Sequence, residues 1–152
     1  MEIKAGAGGD WKRLNEEFDL TIVRQFNDDA CVSAVGEMLL RQQLVEITQQ
    51  KIAENIGTPS NFELLAEYFN SLKISSKTWL GGFFDVKYFE KVVETGTWGA
   101  ILREPKLRGH AVLVEGLTKD GLVKIKDPFD QTFYKMRKDE FLKYLSEFIC
   151  EK

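Results

Sequence analysis

Apolar residues recur at helical spacing through the first half of this chain and at strand spacing through the second, and this change of period constrains its fold more than any other feature. Asn27-Asp28-Asp29 supplies side-chain acceptors that predict a helix beginning near Ala30 or Cys31, with Val32, Val35, Leu39 and Leu40 as its apolar stripe. Gly36 inside that helix costs about 1 kcal/mol relative to Ala and therefore marks close packing. A second helix is expected over Thr48–Ile56, stopped by Gly57 and Pro59. Ser60 with Glu63 reads as a capping box ahead of Phe62, Leu64, Leu65, Tyr68 and Phe69, which gives a third. Beyond Gly96, the segments Trp98–Leu102, His110–Leu117, Leu122–Ile125 and Thr132–Met136 are β-prone runs separated by Pro105, Asp120-Gly121 and Pro128. Helices first and an antiparallel sheet second make the expected class α+β.

The remaining segments are less periodic. Asp10–Phe18 reads as a short helix, Thr21–Phe26 as a compact β-prone run, and Ile74–Leu80 as a strand ending at Gly81-Gly82. Asp85 is expected to cap a helix that runs through Val93 and closes at Gly96. Asp139 is expected to cap a last helix with Phe141, Leu142, Leu145, Phe148 and Ile149 on one face. Residues 1–20 thus form a flexible, Gly-rich lead-in with a short helix, and residues 21–152 form a single domain, the size that 152 residues allow.

Charge and residue counts exclude several functions. Against 21 Lys and Arg stand 24 Asp and Glu, for a net charge of −3, which removes the general electrostatic case for a nucleic-acid binder. Arg103, Lys106 and Arg108 form one local basic group; its bland reading is a solvated loop, its functional one a site for RNA phosphates or an acidic partner. No apolar run approaches the ~18 residues of a membrane span, and the N-terminus lacks a signal-peptide core, so a soluble chain is expected. The two cysteines, Cys31 and Cys150, are too few for a zinc site and are read as free thiols, with Cys150 packing on the last helix. A single histidine excludes a two-histidine metal site and routes any imidazole chemistry through His110.

Four residues carry a chemistry as a set. Cys31 at a helix N-terminus meets unpaired N–H groups and the positive end of the helix dipole, both of which favour a thiolate nucleophile. A thiolate needs an imidazole partner, His110, and the imidazole needs a third group to fix its tautomer, for which Asp127 is the candidate. In the strands, His110, Val112 and Val114 point one way and Val123, Ile125 and Asp127 share a face, but the hairpin register is open, because a turn centred on Asp120-Gly121 sets Asp127 nearer Val114. Gln25, just before the nucleophile, offers a side-chain amide that can pair with the Cys31 N–H as an oxyanion hole. Taken singly, each has a bland reading: a buried small residue, a core histidine, a turn aspartate, a polar loop residue.

The spacing from Gln25 to Cys31, followed by His110-Ala-Val-Leu-Val and Ile125-Lys-Asp127-Pro128, resembles the papain-like cysteine peptidase superfold, in particular the bacteriocin-processing peptidases that cut after a double-glycine leader. The resemblance covers most of the chain from about Thr21. It implies a papain-like fold with the cysteine on a helix N-terminus, Cys31 as nucleophile, His110 as general base and acid, Asp127 as orienting acid and Gln25 as oxyanion donor, with no metal or organic cofactor. Val32 follows the cysteine where the leader peptidases usually carry glycine. The Cys31-Val-Ser-Ala and Asp127-Pro-Phe-Asp pieces are more similar to papain-fold domains at the C-termini of bacterial polymorphic and contact-dependent toxins. That likeness implies a thiol hydrolase of peptide bonds or side-chain amides, delivered within a larger secreted protein to act in a cytoplasm on a peptide or protein, with a cognate immunity protein as partner. The competing readings are a non-catalytic peptide-binding module and a toxin nuclease on the same fold.

Overall fold

A computed structural model describes residues 11–74, 77–103 and 109–152. One antiparallel sheet of seven strands separates two apolar layers. Its strands are β1 (Leu14–Phe18), β2 (Trp79–Phe83), β3 (Trp98–Leu102), β4 (His110–Leu117), β5 (Val123–Asp127), β6 (Thr132–Met136) and β7 (Leu145–Glu151), in the order β1-β6-β5-β4-β3-β7-β2. On one face lie α1 (Cys31–Arg41), α2 (Gln49–Ile56) and α3 (Phe62–Leu72). Val35, Leu39, Leu65 and Phe69 pack there against Ile101, Ala111, Leu113 and Ile149. On the other lie α4 (Phe89–Val93) and α5 (Lys138–Tyr144), with Phe89 and Phe141 edge-on to the buried Trp98. The α+β expectation holds, and the sheet-forming runs of the second half are strands in the expected order. Gly36 also packs as its cost implied: a Cβ there would stand 3.0 Å from Leu65 Cδ1 and 3.2 Å from Ile52 Cδ1.

Several local expectations are corrected. Residues 11–18 form no helix; Leu14–Phe18 is the edge strand β1 paired with β6, so this stretch belongs to the sheet instead of a lead-in, while residues 1–10 lie outside the described residues. A helix this short has no stability of its own, and pairing decides its state. Thr21–Phe26 is irregular: Ile22 and Val23 are buried, but side chains and single backbone bonds, not a ladder, meet its main-chain groups. Helix α1 begins at Cys31, yet its N-cap is Ala30 with no side-chain cap, because Asn27 Oδ1 instead accepts from Asp29 N at 2.8 Å. In α3 the cap is Asn61, which accepts from Leu64 N; Ser60 Oγ donates to Ile56 O.

The strand expected over Ile74–Leu80 runs instead over Trp79–Phe83, straight through the glycines. A Cβ at Gly81 would lie 2.2 Å from Phe62 O, so the glycine lets the start of α3 lie against the strand. The last helix stops at Tyr144, with Arg137 and not Asp139 as N-cap, and Leu145–Glu151 is a strand inserted between β3 and β2. Leu145, Phe148 and Ile149 sit at helical spacing by coincidence, and hydrogen bonding on both sides outweighs that local pattern. Cys150 is consequently a buried strand residue.

Candidate active site

Strand register brings His110 and Asp127 together. Leu117 faces Val123 and Gly116 faces Lys124, but across a bulge the pairing becomes Val114 with Ile125 and Leu113 with Lys126. Without that one-residue shift Asp127 would share a face with Leu113 and point away from His110. With it, Asp127 joins the face of His110, Val112 and Val114. Gly116 has φ 121°, a conformation that side chains rarely adopt, and it lies within the bulge. The open question of the hairpin is thereby resolved.

His110 Nε2 donates to Asp127 Oδ1 at 2.6 Å, and both side chains are buried. Asp127 fills its remaining acceptor capacity completely. Oδ1 also accepts from Phe129 N at 3.0 Å, while Oδ2 accepts from Tyr134 Oη at 2.8 Å and from Arg13 Nη2 at 3.4 Å. Burial works against the carboxylate charge, yet His110, Arg13 and the Phe129 N–H hold Asp127 below the ordinary carboxylate range. An ionised Asp127 can only accept, so Nε2 must carry the proton. Burial likewise disfavours a charged imidazole, but the Asp127 charge and hydrogen bond, aided by Cys31, push His110 up to about 10. Nδ1, on the other side of the ring, makes no hydrogen bond within the described residues.

Cys31 is the first residue of α1 and is nearly buried. It lines a cleft of about 260 Å³ together with Val32, Asn61, Ile101, Gly109 and Glu147. Gly109 shapes this wall, since a Cβ there would stand 2.5 Å from Ile101 Cγ2. The thiol therefore has a helix N-terminus behind it, an imidazole beside it and a concave surface in front. Gln25 is also buried, in the loop before α1. Its N donates to Pro128 O at 2.8 Å, which ties this loop to the residue after Asp127. Its Nε2 donates to Asn27 O at 2.9 Å, leaving a second N–H on the same nitrogen, and its Oε1 has no partner within the described residues.

Sequence reasoning missed the groups behind Asp127. Trp11 stacks on the imidazole at 6.2 Å, with ring planes 14° apart, and its Nε1 donates to Tyr134 Oη at 3.1 Å. Arg13 lies 4.5 Å over the Tyr134 ring and pairs with Asp130 at 3.2 Å. Burial, with the Asp127 charge beside it, raises Tyr134 well above its usual range, so its hydroxyl remains a donor. Trp11 and Arg13 lie about a hundred positions before their partners, and no local pattern marks them. Of the basic group in the β3–β4 connection, Arg103 is half exposed and pairs with Glu147 at 3.8 Å, while Lys106 and Arg108 lie outside the described residues. No group of three or more His, Cys, Asp or Glu among the described residues is placed to hold a metal. Among those residues, no helix is long and apolar enough to cross a membrane.

No family model matches the chain. It is 31% identical over 140 residues to the curated protein "Cysteine protease effector 1" of Escherichia coli, an alignment that takes in 91% of this chain but 28% of that protein, so the chain spans under a third of the relative it matches. Among solved structures, it resembles the crystal structure of the peptidase domain of Streptococcus ComA, a bi-functional ABC transporter involved in a quorum-sensing pathway, with a TM-score of 0.71 at 17% identity over 85% of this chain and 95% of that one. At that identity the likeness is one of fold. The fold is that of the ComA peptidase domain, and in sequence the chain is similar to a cysteine protease effector.

Proposed function

We propose that the chain is a thiol hydrolase of amide bonds in which Cys31 is the nucleophile, His110 the proton carrier, Asp127 the group that orients it and Gln25 the oxyanion donor. The observation that carries this reading is the imidazole itself: Nε2 is committed to the ionised Asp127 at 2.6 Å, Nδ1 makes no hydrogen bond among the described residues, and Cys31 lies close enough to favour the charged ring. Such a ring stabilises a thiolate as an ion pair and holds a proton on Nδ1 ready for delivery.

The thiolate attacks the carbonyl carbon of the amide, and the carbonyl oxygen takes the negative charge. The Cys31 N–H and the spare Gln25 N–H stabilise that charge as it forms. His110 Nδ1 gives its proton to the leaving nitrogen, the C–N bond breaks, and a thioester to Cys31 remains. Water then attacks the thioester while the now neutral Nδ1 takes its proton. Carboxylic acid and the thiolate–imidazolium pair are the products of this second step. Nothing in the sequence requires a metal or organic cofactor.

The substrate is a peptide or protein. The "effector" in the name of the Escherichia coli relative, together with the toxin-like motifs, supports a role as one domain of a larger delivered bacterial protein, with the cleft beside Cys31 as the surface an immunity protein would cover. The direct test incubates wild-type protein and the Cys31→Ala variant with a denatured bacterial proteome and reads new peptide termini and deamidated side chains by mass spectrometry. Products that need Cys31 are expected. Identical spectra from the two proteins contradict hydrolysis. Expression of both forms in a bacterial cytoplasm tests the biological role, with growth arrest expected only when Cys31 is intact.

A further inference from the structure

One buried glutamine outside the four residues above grips the loop that carries Gln25. Gln49, the first residue of α2, accepts on Oε1 from Phe26 N at 3.1 Å and donates from Nε2 to Arg24 O at 2.7 Å. Both bonds go to main chain, one on each side of residue 25, as a neighbouring strand would make them. Gln49 is itself held, since its own N donates to Glu37 Oε1 of α1 at 2.6 Å, and Glu37 Oε2 accepts from Arg41 at 2.8 Å. Gln25 N is tied to Pro128 O at 2.8 Å. A loop without regular pairing is thus fixed on both flanks to the first residue of α2, which is in turn hydrogen-bonded to the helix that carries Cys31, and at its centre to the turn that follows Asp127.

We propose that Gln49 is a positioning residue for the oxyanion hole: its two-point grip on Arg24 and Phe26 sets where the Gln25 amide stands relative to the Cys31 N–H. This rests on the reading of Gln25 as oxyanion donor. A donor displaced by a fraction of an ångström loses much of its effect on a charge that exists only in the transition state. A glutamine that merely satisfied buried main-chain groups would affect stability and leave the chemistry of Cys31 alone.

Two small electrophiles separate these roles without knowledge of the substrate. Acetyl transfer from p-nitrophenyl acetate to Cys31 passes through a tetrahedral oxyanion: the C–S bond forms, the C–O bond breaks and p-nitrophenolate leaves. Alkylation by iodoacetamide displaces iodide at a saturated carbon and forms no oxyanion. In Gln49→Leu, the acetylation rate is expected to fall by about 10-fold or more, within the ~10²–10³ that loss of a whole oxyanion donor costs, while alkylation stays at the wild-type rate. Gln49→Glu keeps the acceptor for Phe26 N and loses the donor to Arg24 O, so it should fall between. The double variant with Gln25→Ala should be no slower in acetylation than Gln25→Ala alone.

Acetylation and alkylation both unchanged in a folded Gln49→Leu protein overturn the inference, as does a fully additive loss in the double variant. Should Gln49→Leu fail to fold, Gln49→Glu decides by the same two rates. Full acetylation in Gln25→Ala removes the oxyanion reading of Gln25 and this role with it. A wild-type Cys31 inert to both reagents instead overturns the proposed hydrolase.

Discussion

The indole of Trp11 lies flat against the imidazole of His110, ring centroids 6.2 Å apart and planes within 14°, and the same indole donates to Tyr134 Oη, which donates to Asp127. A single side chain, from the segment that leads into β1, therefore covers the imidazole and supports its carboxylate partner. Trp11→Ala removes a buried aromatic and should cost about 3–5 kcal/mol of stability. Trp11→Phe keeps the stacked ring, loses the hydrogen bond to Tyr134 and should cost less. Urea denaturation of the three proteins checks the order.

Asp127→Asn preserves the shape of the pair and removes its charge. Burial then acts on the imidazole with only Cys31 to oppose it, so His110 should fall from about 10 toward its ordinary ~6.5. The chain has one histidine, so a single imidazole resonance followed by NMR across pH reads this without ambiguity. A His110 that titrates at the same pH in both proteins contradicts the assigned role of Asp127.

The pair also sets how stability depends on pH. His110 is raised in the folded state, so its contribution is complete below the unfolded value of ~6.5 and is lost as pH rises through about 10. Asp127 is lowered, so its contribution is complete above the unfolded value of ~3.9 and is lost as pH falls through its folded value. Urea midpoints should be highest between about pH 4 and 6.5 and decline on either side. A midpoint that rises from pH 7 to 10 contradicts the His110 shift.

Gly116→Val places a branched side chain at φ 121° and should cost about 1–3 kcal/mol through backbone strain. Expelling the bulge would relieve that strain and turn Asp127 to the opposite face. The loss of stability should therefore come with a lower His110 pKa in the same NMR titration. Destabilisation with an unchanged His110 pKa would show that the bulge survives without glycine.

What was legible in the sequence was local. Cys31 at a helix start, His110 opening a strand and Asp127 closing the next each follow from a few neighbouring residues, and all three stand at those places. The register that joins Asp127 to His110 was not legible, because one bulged residue decides the face on which Asp127 falls. Trp11, Arg13 and Tyr134 escaped for a different reason: their partnership joins segments more than a hundred residues apart and leaves no periodic trace. The segment Leu145–Glu151 has an apolar spacing that fits a helix, while the pairing that makes it a strand lies in β3 and β2. Gln49 falls inside the expected second helix, and no local pattern shows that its amide spans the Gln25 loop.

The central claim is an ion pair between Cys31 and His110, and the pH dependence of Cys31 alkylation by iodoacetamide, with the adduct located by mass spectrometry, tests it most directly. An isolated thiol gains reactivity with a midpoint near ~8.5. Cys31 is predicted to react rapidly well below that pH in the wild-type protein and to lose this reactivity in His110→Ala. A Cys31 that is inert, or that follows the ordinary thiol curve with and without His110, would contradict the account.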